Sequence, residues 1–153
     1  MSTSEGQPSG SQPSGAPFTH RLQVCFGDCD PAGIAFYPSY FRWFDAAMNA
    51  LMFKTFGSFQ GVRERLDTIG TGLMEAGARF HSPVEPGDWL ELQLRITDIQ
   101  RRSFRAEYLG TCDGRKVVTG FEVRGVFRRE GGRVRAGSTD TLAQAFREAG
   151  LYA

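Results

Sequence analysis

Two aspartates lie in a turn-forming loop directly before the longest helix that the sequence predicts. The loop FGDCDPAG spans 26–33, and its glycines, proline and aspartates are residue types that leave regular structure. A helix N-terminus has unpaired N–H groups and the positive end of the helix dipole, so it forms an anion site. Asp30 is well placed to present its carboxylate there, as a nucleophile or as a general base. Asp28 is the weaker candidate, because it more plausibly braces the turn through side-chain hydrogen bonds.

The helix that follows is predicted to start at Pro38 or Ser39 and to stop at Gly57. Proline suits the first turn because its φ is fixed and its missing N–H would be unpaired there, and glycine is common just after a helix. Apolar residues recur at spacings of three and four, which indicates a broad stripe buried against a large surface. These residues are Tyr40, Phe41, Phe44, Ala47, Met48, Leu51 and Phe56. We therefore expect a central helix.

Alternating apolar residues predict one strand before this helix and four after it. The predicted strands are Arg21–Phe26, Leu73–His81, Leu90–Ile96, a fourth from Phe104 to Cys112, and a fifth in which Val117, Thr119, Phe121, Val123 and Phe127 alternate. Asp113-Gly114 is a hairpin turn between the last two. Residues 58–67 suggest an exposed helical turn or loop, and Ser138 can cap a short C-terminal helix that ends at Gly150. The pattern indicates an α+β domain in which a curved antiparallel sheet wraps one helix.

Length and composition predict one domain. The chain has 153 residues, 41% of them apolar, and a formal charge of +1, which argues against a polybasic nucleic-acid or membrane surface. Residues 1–17 are rich in Ser, Gly, Gln and Pro and are predicted to be a disordered tail, so the folded domain is 18–153. Neither a targeting peptide nor an apolar run of roughly 20 residues is apparent, so we expect a cytoplasmic protein.

The cysteines and histidines predict neither a metal site nor a cofactor. Cys25, Cys29 and Cys112 make no CxxC spacing, which fits reduced thiols, and His20 and His81 share no ligand motif. Cys29 as a nucleophile is a second hypothesis, although no histidine lies near it in sequence to activate it. The sequence GTG at 70–72 lacks the rest of a dinucleotide-binding fingerprint.

Residues 26–45 resemble the signature of the 4-hydroxybenzoyl-CoA thioesterase family, in which a GDCDPAG loop precedes a YP step and a helix containing RWFD. The resemblance continues more weakly through Thr71 and the run DIQRRSF at Asp98–Phe104, and covers residues 20–130. It implies the hotdog fold, acyl-CoA thioester hydrolysis, and two subunits that pair edge to edge with active sites between them. We therefore expect a homodimer or homotetramer, with the second strand as the pairing edge, since a long free edge is an aggregation hazard.

The resemblance implies a direct role for Asp30 and an oxyanion-stabilising role for the backbone N–H of Tyr37, at the step into the helix. It also places Asp45 at the far end of the acyl pocket near the substrate's phenol, with Thr71 as a candidate for the pocket wall. The FYPSY run has no Trp before its Tyr, and the loop after the helix is shortened to FGSFQGVRE. These two departures limit the expected substrate to an aryl or short acyl thioester.

Coenzyme A is part of this substrate and carries phosphates, so exposed arginines are expected near the mouth of the pocket. Arg101 and Arg102 lie in a predicted turn that coincides with the family's basic segment, and Ser103 and Arg128 are weaker companions. The alternative from another functional class is a hotdog module that binds an acyl-CoA or acyl carrier without cleaving it. A hotdog dehydratase is less favoured, because neither histidine lies in the loop or the helix.

Overall fold

One antiparallel sheet curves around a long helix in the computed structural model, which describes residues 15–153. The predicted tail, 1–17, lies outside the described residues except for Gly15–Pro17, where the Ala16 N–H donates to the Gly150 carbonyl at 2.9 Å. The elements are β1 (Phe18–Gln23), a 3₁₀ turn (Phe26–Asp28), α1 (Tyr37–Phe56), α2 (Phe59–Arg65), β2 (Gly70–Phe80), β3 (Trp89–Ile99), β4 (Phe104–Cys112), β5 (Arg115–Glu130), β6 (Arg133–Ala136) and α3 (Asp140–Glu148).

The strands are arranged in the order β1-β3-β4-β5-β2, and β6 extends the sheet beside the end of β5. Consecutive strands β3, β4 and β5 form a meander, as the sequence predicts, whereas β1 and β2 lie at opposite edges. Within residues 15–153, β2 pairs only with β5. It is therefore an edge strand of eleven residues. A strand that pairs with a second copy has to lie at an edge of its sheet, and β2 meets this requirement.

The central helix is confirmed almost to the residue. It begins at Tyr37, one position before Pro38, and ends at Phe56, with Gly57 in the left-handed region at φ 87°. The predicted apolar stripe is buried except for Phe41, which is half-buried. The Phe44 ring stacks on the Tyr108 ring with centroids 4.4 Å apart, and its edge packs against Gly120, where a Cβ would lie 2.5 Å from the ring. A glycine on β5 thus lets the helix approach the sheet closely.

In the middle of β5, at 121–124, the buried face is opposite to the face that the predicted alternation would bury. Phe121 and Phe127 are only half-buried, whereas the side chains of Glu122 and Arg124 are 2% and 6% exposed. The Arg124 guanidinium lies 2.8 Å from the Glu122 carboxylate, so each charge compensates the other under the helix. Mutual pairing is what permits two charged residues to occupy core positions.

Two other segments differ from the sequence-based expectation. The first strand ends at Gln23 rather than Phe26, because Val24 leaves the ladder to bond with the 87–88 turn, and Phe26 is exposed in the 3₁₀ turn. Strand β6 was not predicted. Residues 59–65 form the mostly exposed helical turn that the sequence suggests, with one buried residue, Val62. The C-terminal helix is present, but its N-cap is Thr139 rather than Ser138, whose Oγ accepts from the Asp140 N–H.

No helix in the described part of the chain is long and apolar enough to cross a membrane.

Candidate active site

The loop that carries Asp30 closes on itself through three short hydrogen bonds. The Asp30 N–H donates to the Ile34 carbonyl at 3.0 Å, and the Gly33 N–H donates to the Asp30 carbonyl at 2.9 Å. The Ala32 N–H donates to Asp30 Oδ1 at 2.9 Å, which makes an Asx turn. Among the described residues Asp30 Oδ2 accepts no hydrogen bond, so one oxygen orients the carboxylate while the other is available.

Further bonds attach this loop to the start of α1 and to the turn before β3. The Phe36 N–H and the Ser39 hydroxyl both donate to the Asp28 carbonyl, at 2.9 and 2.8 Å. On the other side, the Ala35 N–H donates to the Val84 carbonyl at 2.9 Å. Hydrogen bonds to the helix and to the turn before β3 therefore fix the position of the Asp30 loop.

Asp28 has the bracing contacts that the sequence suggested for it. Its Oδ2 accepts from the Cys25 N–H at 2.8 Å, and its Oδ1 accepts from Arg42 at 2.9 Å. Both carboxylate oxygens are thus engaged, in contrast to Asp30. This arrangement favours Asp30 over Asp28 as the reacting group.

Tyr37 is the first residue of α1, so its N–H lies among the helix N-terminal donors that have no intrahelical acceptor. Within residues 15–153 its N–H makes no hydrogen bond to another backbone group. Its side chain is 62% exposed and packs on the Phe36 ring. The structure therefore brings a free N–H and the Asp30 loop to the same end of α1.

Cys29 lies between the two aspartates, in surroundings that disfavour a thiolate. Desolvation raises the pKa of the Cys29 thiol, and the negative charges of Asp28 and Asp30 raise it further. A reactive cysteine needs the opposite shift. The geometry therefore gives no support to Cys29 as the nucleophile.

Asp45 and Thr71 are brought together by a residue that the sequence analysis missed. Arg124 donates through Nη2 to Asp45 Oδ1 at 2.7 Å and through Nη1 to the Thr71 carbonyl at 3.0 Å. Behind it, Glu122 accepts from Arg124 and from the Tyr108 hydroxyl at 2.7 Å. Burial lowers the pKa of Arg124, but its hydrogen bonds and charge contacts with Glu122 and Asp45 outweigh this effect and leave the pKa above its usual value.

A cavity of about 260 Å³ adjoins Asp45, Thr71 and Arg124. Its remaining lining residues are Asn49, Met52, Phe53, Phe59, Val62, Arg63 and Gly70. The pair Glu122–Arg124 has a recognisable sequence signal, since two opposite charges alternate within an apolar strand. That signal is ambiguous, because an exposed strand face has the same pattern.

The arginines predicted to bind coenzyme A do not all lie together. Arg101 and Arg102 are exposed in the turn between β3 and β4, and Arg101 lines a cavity of about 490 Å³ beside α3. Ser103, in the same turn, accepts through its carbonyl from the Gln100 N–H at 2.8 Å. Arg128 lines a different cavity and donates to the carbonyls of Leu66 and Asp67. These hydrogen bonds join the end of α2 to β5.

Comparison with known proteins gives consistent matches over most of the chain. The model of the thioesterase-like superfamily matches residues 24–146. A 4-hydroxybenzoyl-CoA thioesterase from Pseudomonas sp. (strain CBS-3) is 34% identical over 125 residues, which are 77% of this chain and 88% of that protein. A 1,4-dihydroxy-2-naphthoyl-CoA hydrolase from Prochlorococcus marinus (strain MIT 9313) is 26% identical over 99 residues, 61% of this chain and 66% of that protein.

Solved structures agree with these matches. The structure of the 4-hydroxybenzoyl-CoA thioesterase from Pseudomonas sp. strain CBS-3 has a TM-score of 0.72 at 30% identity, covering 82% of this chain and 96% of that chain. A gentisyl-coenzyme A thioesterase has a TM-score of 0.71 at 28% identity, covering 84% of this chain and 98% of that chain.

Proposed function

Because this chain belongs to the thioesterase-like superfamily, has the hotdog fold and is a thioester hydrolase, we propose that it cleaves an aryl- or short acyl-CoA thioester to the free acid and coenzyme A. The observation that carries this proposal is the Asp30 carboxylate, which lies in the loop that hydrogen-bonds to the start of α1 and has one oxygen in an Asx turn and the other available. The relatives that are named for aroyl-CoA hydrolysis support the substrate class.

In the proposed reaction Asp30 attacks the acyl carbon, and the thioester C–S bond breaks to release the coenzyme A thiolate. The product of this step is an acyl-aspartyl anhydride, which water then opens to the acid. The Tyr37 N–H stabilises the oxyanion that forms in each step, and a preorganised donor of this kind contributes ~2.7–4 kcal/mol. General-base activation of water by Asp30 is the alternative role for the same carboxylate.

In this proposal two copies of the chain share the site. Asp45 follows Tyr37 by eight residues on α1, which is about 12 Å along the helix axis, so the two groups lie well apart on one copy.

The arrangement that we propose is antiparallel pairing of β2 with β2 of a second copy. The Phe80 end of β2 lies near the start of α1, since the Phe80 ring packs on the Tyr40 ring at 5.0 Å, and the Thr71 end lies beside Arg124. A two-fold axis near the middle of β2 would bring the Phe80 end of one copy beside the Thr71 end of the other. Asp30 of one copy would then share a site with Asp45 and Thr71 of the second.

For the leaving group, we propose that Arg101 and Arg102, with Ser103 beside them, bind the phosphates of coenzyme A. Both arginines are exposed on one turn, as charge-assisted contacts with a mobile phosphate chain require. The contacts of Arg128 with Leu66 and Asp67 favour a structural role for that residue instead.

Thiol release from a panel of acyl-CoA thioesters tests the proposed function. We expect the highest kcat/KM for aryl and short acyl thioesters and little turnover of long-chain ones. A preference for long chains, or no release of coenzyme A from any of them, would contradict the proposal.

A single turnover in ¹⁸O-labelled water tests the role of Asp30. Opening of an anhydride at the aspartyl carbon places label in the Asp30 peptide, which digestion and mass spectrometry detect, whereas general-base catalysis places label only in the released acid. Label confined to the acid, together with failure of rapid quench to trap an acyl-enzyme, would leave Asp30 as the base.

A further inference from the structure

Two cysteines flank the turn that leads into the Asp30 loop. Cys25 precedes the 3₁₀ turn and is exposed, whereas Cys29 follows the turn, is partly buried and directly precedes Asp30. Both thiols are free in the structure, and neither has a role in the proposed reaction. The third cysteine, Cys112, is buried on β4. A pair of unused thiols therefore lies next to the candidate catalytic carboxylate.

The turn between the two cysteines folds the chain back on itself. The Asp28 N–H donates to the Cys25 carbonyl at 3.0 Å, and the Cys29 N–H donates to the Phe26 carbonyl at 3.2 Å. The Cys29 side chain points back along the turn, because its Sγ lies 3.7 Å from the Cys25 carbonyl oxygen. Such turns bring their end residues within about 7 Å, and a disulfide joins Cα atoms about 4.4–6.8 Å apart. A small movement of the turn, with rotation of Cys25 Sγ away from the Gln23 carbonyl, brings the two sulfurs together.

A bond between these sulfurs would disturb the contacts that position the Asp30 loop. Asp28 Oδ2 accepts from the Cys25 N–H at 2.8 Å, and the Asp28 carbonyl accepts from the start of α1. Cys29 pairs with Ala35 in an isolated β-bridge and packs against the core. Drawing Cys29 toward Cys25 therefore moves the residue directly before Asp30, and a displacement of about 1 Å in a catalytic group can cost about 10²-fold in rate.

We propose that the Asp30 loop contains a redox switch, in which a hydroperoxide joins Cys25 to Cys29 in a disulfide that reversibly lowers activity. The hydroperoxide oxidises the exposed Cys25 thiol to a sulfenic acid and is itself reduced to an alcohol, or to water if it is hydrogen peroxide. The Cys29 sulfur then attacks the sulfenic sulfur, so that the S–S bond forms and the sulfenic oxygen leaves as water. A dithiol reverses the change by thiol–disulfide exchange. The effect on activity rests on the proposed function, whereas the disulfide itself does not.

The order of the two steps follows from the surroundings of the thiols. Burial raises the pKa of the Cys29 thiol, and the charges of Asp28 and Asp30 raise it further, so Cys29 is a poor first target for the oxidant. Its attack on a sulfenic acid in the same turn is intramolecular, and well-oriented reactions of this kind gain an effective concentration of about 10⁵–10⁸ M. The thiolate is the attacking species, so the disulfide should form faster as the pH rises toward this elevated pKa.

Peptide mapping and thiol release test the proposal on the full-length protein, with hydrogen peroxide as the oxidant. The chain has no Lys or Arg between Arg21 and Arg42, so one tryptic peptide, 22–42, contains both cysteines. After oxidation, remaining thiols are blocked with iodoacetamide before digestion. We expect this peptide to be unalkylated and lighter by two hydrogen atoms than the reduced peptide. Release of coenzyme A should fall at least about tenfold in parallel, and dithiothreitol should restore both the activity and the reduced mass.

Single-cysteine variants separate the switch from general oxidative damage. Cys25→Ala and Cys29→Ala should each retain most of the activity and should resist the oxidant, because neither can form the bond. Cys112→Ala is the matched control, since it removes a thiol that is buried on β4, and it should be inactivated as the wild type is. Equal loss of activity in all three variants would overturn the proposal.

Two further results would also overturn it. One is an oxidised peptide without the internal bond, whether Cys25 has become a sulfinic acid or has joined another molecule, and the other is an internal bond that leaves activity unchanged. If the reduced wild type releases no coenzyme A from any thioester, the proposed function fails instead. The loop is then followed by amide hydrogen exchange, which should be faster at residues 28–36 in the oxidised protein, and equal rates overturn the inference.

Discussion

The Arg42 guanidinium on α1 lies 2.9 Å from Asp28 Oδ1, so the second turn of the helix holds the loop that carries Asp30. The same Nη2 atom donates to Ser39 Oγ at 3.0 Å, and the Ser39 hydroxyl in turn donates to the Asp28 carbonyl. Arg42 is 65% exposed, so its contribution to stability is small, but its contacts bear on the position of the loop.

We predict that Arg42→Ala lowers kcat about tenfold by loosening the Asp30 loop, while the free energy of unfolding changes by less than about 1 kcal/mol. Steady-state kinetics and urea denaturation measure the two effects. Arg42→Lys should restore part of kcat because it keeps a donor near Asp28. Unchanged kcat in Arg42→Ala would show that the ion pair has no positioning role.

Asp30→Asn should lower turnover by the ~10²–10⁴ typical of a lost catalytic acid–base group. The fold should be intact, because the asparagine carbonyl can still accept from the Ala32 N–H. Asp28→Asn is the matched control and should reduce activity less. A folded Asp30→Asn protein, checked by circular dichroism, that keeps more than a tenth of wild-type activity would rule out the assignment.

Arg101→Ala and Arg102→Ala should raise KM for CoA thioesters far more than KM for thioesters of short thiols without phosphates. Only the CoA substrates lose a charge-assisted contact, and the effect should shrink at high salt. Arg128→Ala is the comparison variant, and we expect it to lower the unfolding midpoint rather than to raise KM. Equal losses on both classes of thioester would mean that Arg101 and Arg102 have a structural role.

Cys29→Ala should retain most of the activity, because the raised pKa of Cys29 keeps its thiol protonated and unreactive near neutral pH. In a Cys25→Ala/Cys112→Ala background, alkylation of Cys29 by iodoacetamide should be slower than that of a free thiol at pH 7. The rate should increase as the pH rises toward the elevated pKa. Rapid alkylation at neutral pH that abolishes activity, together with an inactive Cys29→Ala variant, would support the thiol as nucleophile.

The long helix and most strands could be predicted because each has one clear period and clear ends. Pro38 and Gly57 delimit α1, and its stripe repeats at a helical spacing that the core then buries. The hydrogen bonds by which the Asp28 side chain stabilises its turn could also be predicted, since they depend on residues close in sequence. These features are determined by residues close together in sequence.

The features that escaped prediction depend on contacts between distant parts of the chain. Glu122 and Arg124 alternate as exposed charges do, and only Tyr108 on β4 and Asp45 on α1 make their burial possible. Likewise, Phe26 continues the alternating pattern of β1. The strand ends earlier, because the backbone of Val24 forms hydrogen bonds with the 87–88 turn. The local sequence pattern does not identify which of the two faces of a strand packs against the core.

The placement of β1 and β2 at opposite edges of the sheet has a consequence for folding kinetics. The meander β3–β5 closes short loops, such as the one between Cys112 and Arg115, whereas β2 pairs Gly70 with Phe127 far along the chain. Contacts between residues close in sequence form at a lower entropic cost than contacts between distant residues. We therefore expect folding to begin in the meander and β2 to dock last. Substitutions in the β4–β5 hairpin should then slow refolding, and substitutions in β2 should mainly speed unfolding. The strand that would join two copies is thus the last to dock in each of them.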